Sequence, residues 1–110
     1  MNLYPEMISK LPEIEIPIKG ITGWLLENST TQTVFFEIDT KEDLPSHAHC
    51  AQWGIMVDGV MELTIGGKPE IFTKGSHYYI PEGVIHSAKF LTKVYVIDVF
   101  DSPDRYKIKK

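Results

Sequence analysis

The chain has 110 residues, 43% hydrophobic and 24% charged, with 11 Lys and Arg against 15 Asp and Glu. That length holds one domain, and the composition is globular rather than disordered or collagen-like. A net charge of −4 argues against a nucleic-acid partner, and no apolar run approaches the ~18 residues of a membrane-spanning helix, so no membrane partner is expected.

Residues 1–20 read as an extended arm and 21–110 as a single domain. Glu6, Glu13 and Glu15 among Pro5, Pro12 and Pro17 do not suit a signal peptide. The single cysteine, Cys50, has no internal disulfide partner, and the two observations together point to a cytoplasmic protein. Ile14, Ile16 and Ile18 alternate with Glu15 and Pro17. That pattern predicts a short strand over 14–18, docked on a sheet or on a neighbouring subunit, and on that ground a homodimer is expected.

Beyond the arm, strand signals recur at 21–27, 33–39, 52–57, 60–65, 70–73, 77–80, 85–91 and 93–100, rich in β-branched and aromatic residues. Trp53 to Val57 is nearly all apolar, which predicts a strand covered on both faces. Asp58-Gly59 predicts a hairpin turn, and Gly66-Gly67, Lys74-Gly75 and Pro81-Glu82-Gly83 supply the turns that follow. Many short strands at regular spacing indicate an all-β barrel or sandwich.

Four histidines punctuate these strands: His47, His49, His77 and His86. His47 and His49 are two apart, which in a strand places both rings on one face and sends Cys50 to the other. Gln52 follows, six residues before Gly59; further on, Gly75, Pro81, Gly83 and His86 are spaced Gly-x5-Pro-x-Gly-x2-His. In these two stretches the chain resembles the cupin superfamily, with motifs Gly-x5-His-x-His-x3,4-Glu-x6-Gly and Gly-x5-Pro-x-Gly-x2-His-x3-Asn. The departures are Lys41 for the first glycine, Gln52 for the glutamate after a gap one residue short, and Phe90 for the final asparagine.

The resemblance implies a double-stranded β-helix, the jelly-roll barrel of the cupins. It also implies one divalent transition metal ion (zinc, iron, nickel, manganese or copper) on His47, His49, Gln52 and His86. His77 falls outside both motifs and is expected as an exposed strand residue. Imidazole suits all these metals. Three neutral rings and a neutral amide leave the ion its full charge, which favours Lewis-acid chemistry on a carboxylate or enolate. Protons should displace the ion below about pH 6.

Asp98 interrupts the apolar run Val94-Tyr95-Val96-Ile97-Asp98-Val99-Phe100. A carboxylate there is costly to bury without a partner; it is either a general base facing the cavity or a structural or solvent-facing group. Arg105 either binds a substrate carboxylate or pairs with a surface acid. Phe35, Met56, Phe90 and Phe100 are expected mostly in the core, with some of them lining the pocket, and Trp53, Tyr78 and Tyr79 as packing rather than catalytic residues. The segment Ile97-Asp98-Val99-Phe100 followed by Pro103 and Arg105 is similar to small cupins of pectin breakdown. Those linearise unsaturated sugar acids on a metal held by histidines and a glutamine. The similarity implies a metal-dependent enzyme that isomerises or ring-opens a small oxygen-rich acid, with Asp98 and Arg105 as catalytic residues. The other readings are a metal-dependent dioxygenase and a non-catalytic module that binds a metal or metabolite.

Overall fold

A computed structural model describes residues 3–110. Nine strands follow one short helix: α1 (Glu6–Ser9), β1 (Ile21–Glu27), β2 (Gln32–Ile38), β3 (Leu44–His47), β4 (Gln52–Asp58), β5 (Met61–Ile65), β6 (Lys68–Phe72), β7 (His77–Ile80), β8 (His86–Phe90) and β9 (Val94–Phe100). They form two antiparallel sheets, β1-β2-β9-β4-β7 and β3-β8-β5-β6. Strand alternation sends one residue in two into the space between the sheets. There Val34, Phe36, Ile38, Met56, Leu63, Ile80, Val96 and Phe100 make a single apolar core. The molecule is an all-β jelly-roll barrel.

Most strands lie within two residues of their predicted positions, and the exceptions have physical causes. β3 was missed. It is a short edge strand carrying Pro45, it pairs with β8 at Leu44 and His47 across an irregularity, and proline without an N–H is tolerated only at such an edge. Asp58-Gly59 closes no hairpin: β4 and β5 belong to different sheets, and this turn carries the chain from one to the other. Gly66-Gly67 does close one. Ile65 pairs with Lys68, and both glycines have positive φ (57° and 83°), as a two-residue type I′ turn requires.

The arm departs from its expectation as well. Residues 14–18 form no strand; Glu13 bridges Trp24 and Ile14 bridges Ile108, so the arm is tied to β1 and to the C-terminal tail. Ile14 is buried in the main core, with Ile16 and Ile18 packed against it. Upstream, Tyr4 joins Trp24 and Tyr95 over the outer face of the larger sheet. The apolar residues Ile14, Ile16 and Ile18 are thus packed within their own chain.

The outer face of β4 is not covered as expected. Trp53 is 40% exposed and Tyr79, its neighbour on β7, 59% exposed. His77 is exposed at the start of β7, stacked against Trp53.

Candidate metal centre

Three strands set the floor of the barrel cavity. Gly54 on β4 pairs with Tyr78 on β7 and with Asp98 on β9, so these residues form one inward-facing row. Glycine is needed in the middle. A Cβ there would lie 2.1 Å from an Asp98 carboxylate oxygen and 2.4 Å from the Tyr78 ring. The space it leaves lets the Tyr78 hydroxyl donate to Asp98 Oδ1 at 2.6 Å. Gly54→Ala should force this pair apart and cost about 1–3 kcal/mol, as overpacking does; urea denaturation of the variant checks it.

The histidines converge from other elements. His47 ends β3 and pairs with His86 at the start of β8. His49 lies in the loop beyond β3, and its carbonyl accepts from the Gly83 N–H at 3.0 Å. One ring nitrogen from each of the three lies within 4.8 Å of the others. Because the chain leaves the strand after His47, strand parity no longer governs Cys50, whose Sγ lies 3.9 Å from His49 Nδ1. Burial pushes the thiol pKa up, so it is a poor nucleophile.

The hydrogen bonds of the rings decide what the cluster can hold. His47 Nδ1 lies 2.8 Å from the Pro45 carbonyl, His49 Nδ1 2.8 Å from that of Cys50, and His86 Nδ1 2.9 Å from that of Val84. A carbonyl only accepts, so each Nδ1 carries the hydrogen and each neutral ring presents a bare Nε2. Burial pushes His49 down to about 4 and also lowers His86, so both are neutral at pH 7. Yet His49 Nε2 and His86 Nε2 stand 3.2 Å apart. Two lone pairs facing at that distance repel unless a cation lies between them. Two nitrogens each about 2.1 Å from a shared ion are about 3.0 Å apart at a right angle and about 3.4 Å at the tetrahedral angle. The observed spacing falls between.

Gln52 adds a fourth donor, an oxygen. A side-chain hydrogen bond from Gln52 acts on Asp98, and because a carboxylate only accepts, it is the Gln52 amide nitrogen that faces it. Its Oε1 is buried with no partner. An acceptor stripped of water and left unpaired is costly, and a cation beside the histidines would satisfy it. The donor set of three imidazoles and an amide oxygen therefore fits a divalent transition metal.

His47, His49, Gln52, His86, Asp98 and Arg105 all line one cavity of about 60 Å³, partly open to solvent. Most of the remaining wall is apolar, Phe36, Leu63 and Phe90 among it. Of the expected packing residues, Phe90 lines this cavity, Met56 is buried in the core, and Phe35 packs on the outer face beneath the arm. Asp98 is buried and its pKa is pushed up to about 6, chiefly by loss of water. The Tyr78 hydroxyl is driven well above its ordinary range, again by burial, and so remains a donor to Asp98. Tyr78 is the site residue that sequence reasoning missed. Of the pair Tyr78-Tyr79 only one can face the barrel, and parity with Ile80 selects Tyr78. Arg105 follows β9 with its guanidinium 4.3 Å from the centre of the Tyr106 ring. Its Nε is buried without a partner, and among the described residues no carboxylate pairs with it.

The neutral rings also move the expected pH of metal release. A ring with a depressed pKa takes up its proton later on acidification, so protons compete for His49 and His86 only below their lowered values. Release of the metal is therefore expected to need more acid than the unperturbed imidazole range near pH 6. Metal retained after dialysis across that range checks it.

This fold and cluster can be set against known proteins. The sequence profile of the family described as Cupin domain matches residues 34–100. The chain belongs to the cupin family. Among solved structures it is similar to an RmlC-like cupin from Shewanella frigidimarina (29% identity, 86% of each chain covered, TM-score 0.75). It is also similar to KdgF from Halomonas sp. (25% identity, 84% of this chain and 86% of that one, TM-score 0.73). An oxalate decarboxylase of Bacillus subtilis, at 20% identity, shares the fold over 87% of this chain and 28% of its own, with a TM-score of 0.73. No curated protein sequence matches the chain.

Proposed function

We propose that this cupin is a metal-dependent enzyme that moves a proton on a small organic acid, isomerising or ring-opening an unsaturated sugar acid. The observation that carries the reading is Asp98. A carboxylate buried at the cavity floor, held by Tyr78 and Gln52 and sharing its cavity with three converging histidines, is costly to keep and has no packing role.

His47, His49 and His86 would hold the ion through Nε2, and Gln52 through Oε1. Bound there, a divalent ion supplies Lewis acidity toward a carbonyl or hydroxyl oxygen of the substrate. Asp98 takes a proton from, or returns it to, the adjacent carbon or oxygen, and the Tyr78 hydroxyl fixes which carboxylate oxygen is free to do so. Arg105 receives the substrate carboxylate at its unpartnered Nε–H. The apolar wall favours an unsaturated or deoxygenated edge over a fully hydroxylated one, whose hydroxyls would be left unpaired. At about 10–15 Å³ per water-sized group, the 60 Å³ cavity encloses about five heavy atoms. The reacting end of the acid fits inside and the remainder reaches the open mouth.

A neutral donor set stabilises a higher oxidation state poorly, so oxygen-using chemistry is the weaker reading. A purely binding module leaves Asp98 without a reason. The test is an NMR screen of the zinc-, nickel- and manganese-loaded protein against unsaturated and keto sugar acids. Conversion of at least one, abolished by chelator, is expected; conversion of none would favour the binding module.

A further inference from the structure

We infer that Gln32 is the positioning residue that aims Arg105 into the cavity, by clamping the backbone of Tyr106 from behind. The inference rests on the reading that Arg105 receives a carboxylate.

Gln32 opens β2 and is 1% exposed, and it is not part of the wall of the cavity that holds the histidines. Its amide is spent on the tail after β9. The Tyr106 N–H donates to Gln32 Oε1 at 2.9 Å, and Gln32 Nε2 donates to the Tyr106 carbonyl at 3.0 Å and to Glu27 Oε1 at 3.2 Å. One side chain thus satisfies both backbone groups of Tyr106, as a neighbouring strand would. The tail needs such a substitute, because β9 ends at Phe100 and the sheet ladder ends with it. Ring contacts complete the seat: Tyr106 packs edge-on against Phe36 and Phe100. Arg105, one residue back, is then held with its guanidinium over the Tyr106 and Phe100 rings and its Nε inside. Beyond Tyr106, among the described residues, the backbone of the tail is tied to the arm, by Glu15 N–H to the Lys107 carbonyl (2.7 Å) and Lys109 N–H to the Glu13 carbonyl (2.8 Å). Neither bond sets the direction of Arg105. No other side chain among the described hydrogen bonds holds the backbone of 105 or 106.

The test uses the full-length zinc-loaded protein, so that NMR signals at the site stay sharp, and reads Arg105 without requiring substrate. In the wild type the Tyr106 amide and the Arg105 Nε–H, assigned by its loss in Arg105→Lys, should both be protected from exchange with solvent. A Tyr106 amide exchanging at the rate of an open chain overturns the proposal with no variant made. Gln32→Leu removes both clamp bonds. Gln32→Met also removes both bonds but keeps the length and bulk of the side chain, and so guards against loss of the fold. In either folded variant Arg105 Nε–H exchange should quicken by about tenfold or more with zinc content unchanged. Exchange at the wild-type rate in folded Gln32→Met would overturn the inference. Pyruvate, a small 2-oxo acid, is titrated in parallel and should bind the wild type and bind the variants about tenfold or more weakly. Faster Nε–H exchange in the variants, with no pyruvate binding by the wild type, leaves Gln32 as the positioning residue and overturns the carboxylate reading of Arg105 instead.

Discussion

His86→Ala is expected to lose metal by about two orders of magnitude in affinity or more while the barrel persists. The ring sits at the start of β8, opposite His47, with its Nε2 3.2 Å from that of His49. Four-ligand zinc sites are worth roughly 10–16 kcal/mol, so one ligand carries about 3 kcal/mol, or about 10²-fold. Removing it leaves His49 facing open space, which the neutral ring tolerates. The apolar core between the sheets does not depend on His86, and alanine is readily accommodated in a strand whose next inward residue is Ala88. Metal content after dialysis against a weak chelator, with far-UV circular dichroism as the control for folding, decides the matter. Stoichiometric retention would show that the histidines do not act together.

Asp98→Asn should do two opposite things: remove turnover and stabilise the protein. The first follows from the loss of a proton carrier, worth roughly 10²–10⁴ in rate. The second follows from burial. The folded-state pKa is raised from 3.8 to about 6, which corresponds to about 3 kcal/mol. The sign is set by which state releases its proton first. Below about pH 4 both folded and unfolded chains hold the proton and nothing is lost. Between about pH 4 and 6 the unfolded chain ionises and the folded one does not, so stability falls as pH rises. Above 6 the deficit is complete. Asparagine never ionises and still accepts from Tyr78. In chelator, the variant should therefore gain about 1–3 kcal/mol at pH 8 and nothing at pH 3.5, read by urea denaturation at both. A variant that is less stable at pH 8 would make Asp98 a structural group.

Burial of His49 acts in the opposite direction. Its folded pKa of about 4 lies below the unfolded value near 6.5, so acidification through that window protonates the unfolded chain first and lowers stability.

Much of this site is legible in the chain. The spacing from Gly75 through Pro81 and Gly83 to His86, and the His-x-His of His47 and His49, rest on turn glycines and short strands that a sequence displays directly. Gln52 and Asp98 are legible because each is a polar residue on the inward face of an apolar strand. Other features are set by tertiary context. β3 is hidden by Pro45 and by its brevity. α1 spans one turn, too short for a 3.6-residue period to show. The role of Tyr78 depends on the register that places Gly54 between it and Asp98, and register between distant strands is not written in local pattern. Gln32 is a polar residue before an apolar run, and only the return of the C-terminal tail, 74 residues on, gives its amide a task. The arm docks on the larger sheet as its alternating isoleucines suggest, but its pairing with Ile108, at the other end of the chain, is not visible in local pattern.

The most direct test of the metal centre is anomalous diffraction at the absorption edge of the metal found in protein purified without added metal. One ion is expected, about 2.1 Å from Nε2 of His47, His49 and His86, with Gln52 Oε1 turned toward it and every Nδ1 on its backbone carbonyl. An ion elsewhere, ligation through Nδ1, or three histidines around ordered water alone would contradict it.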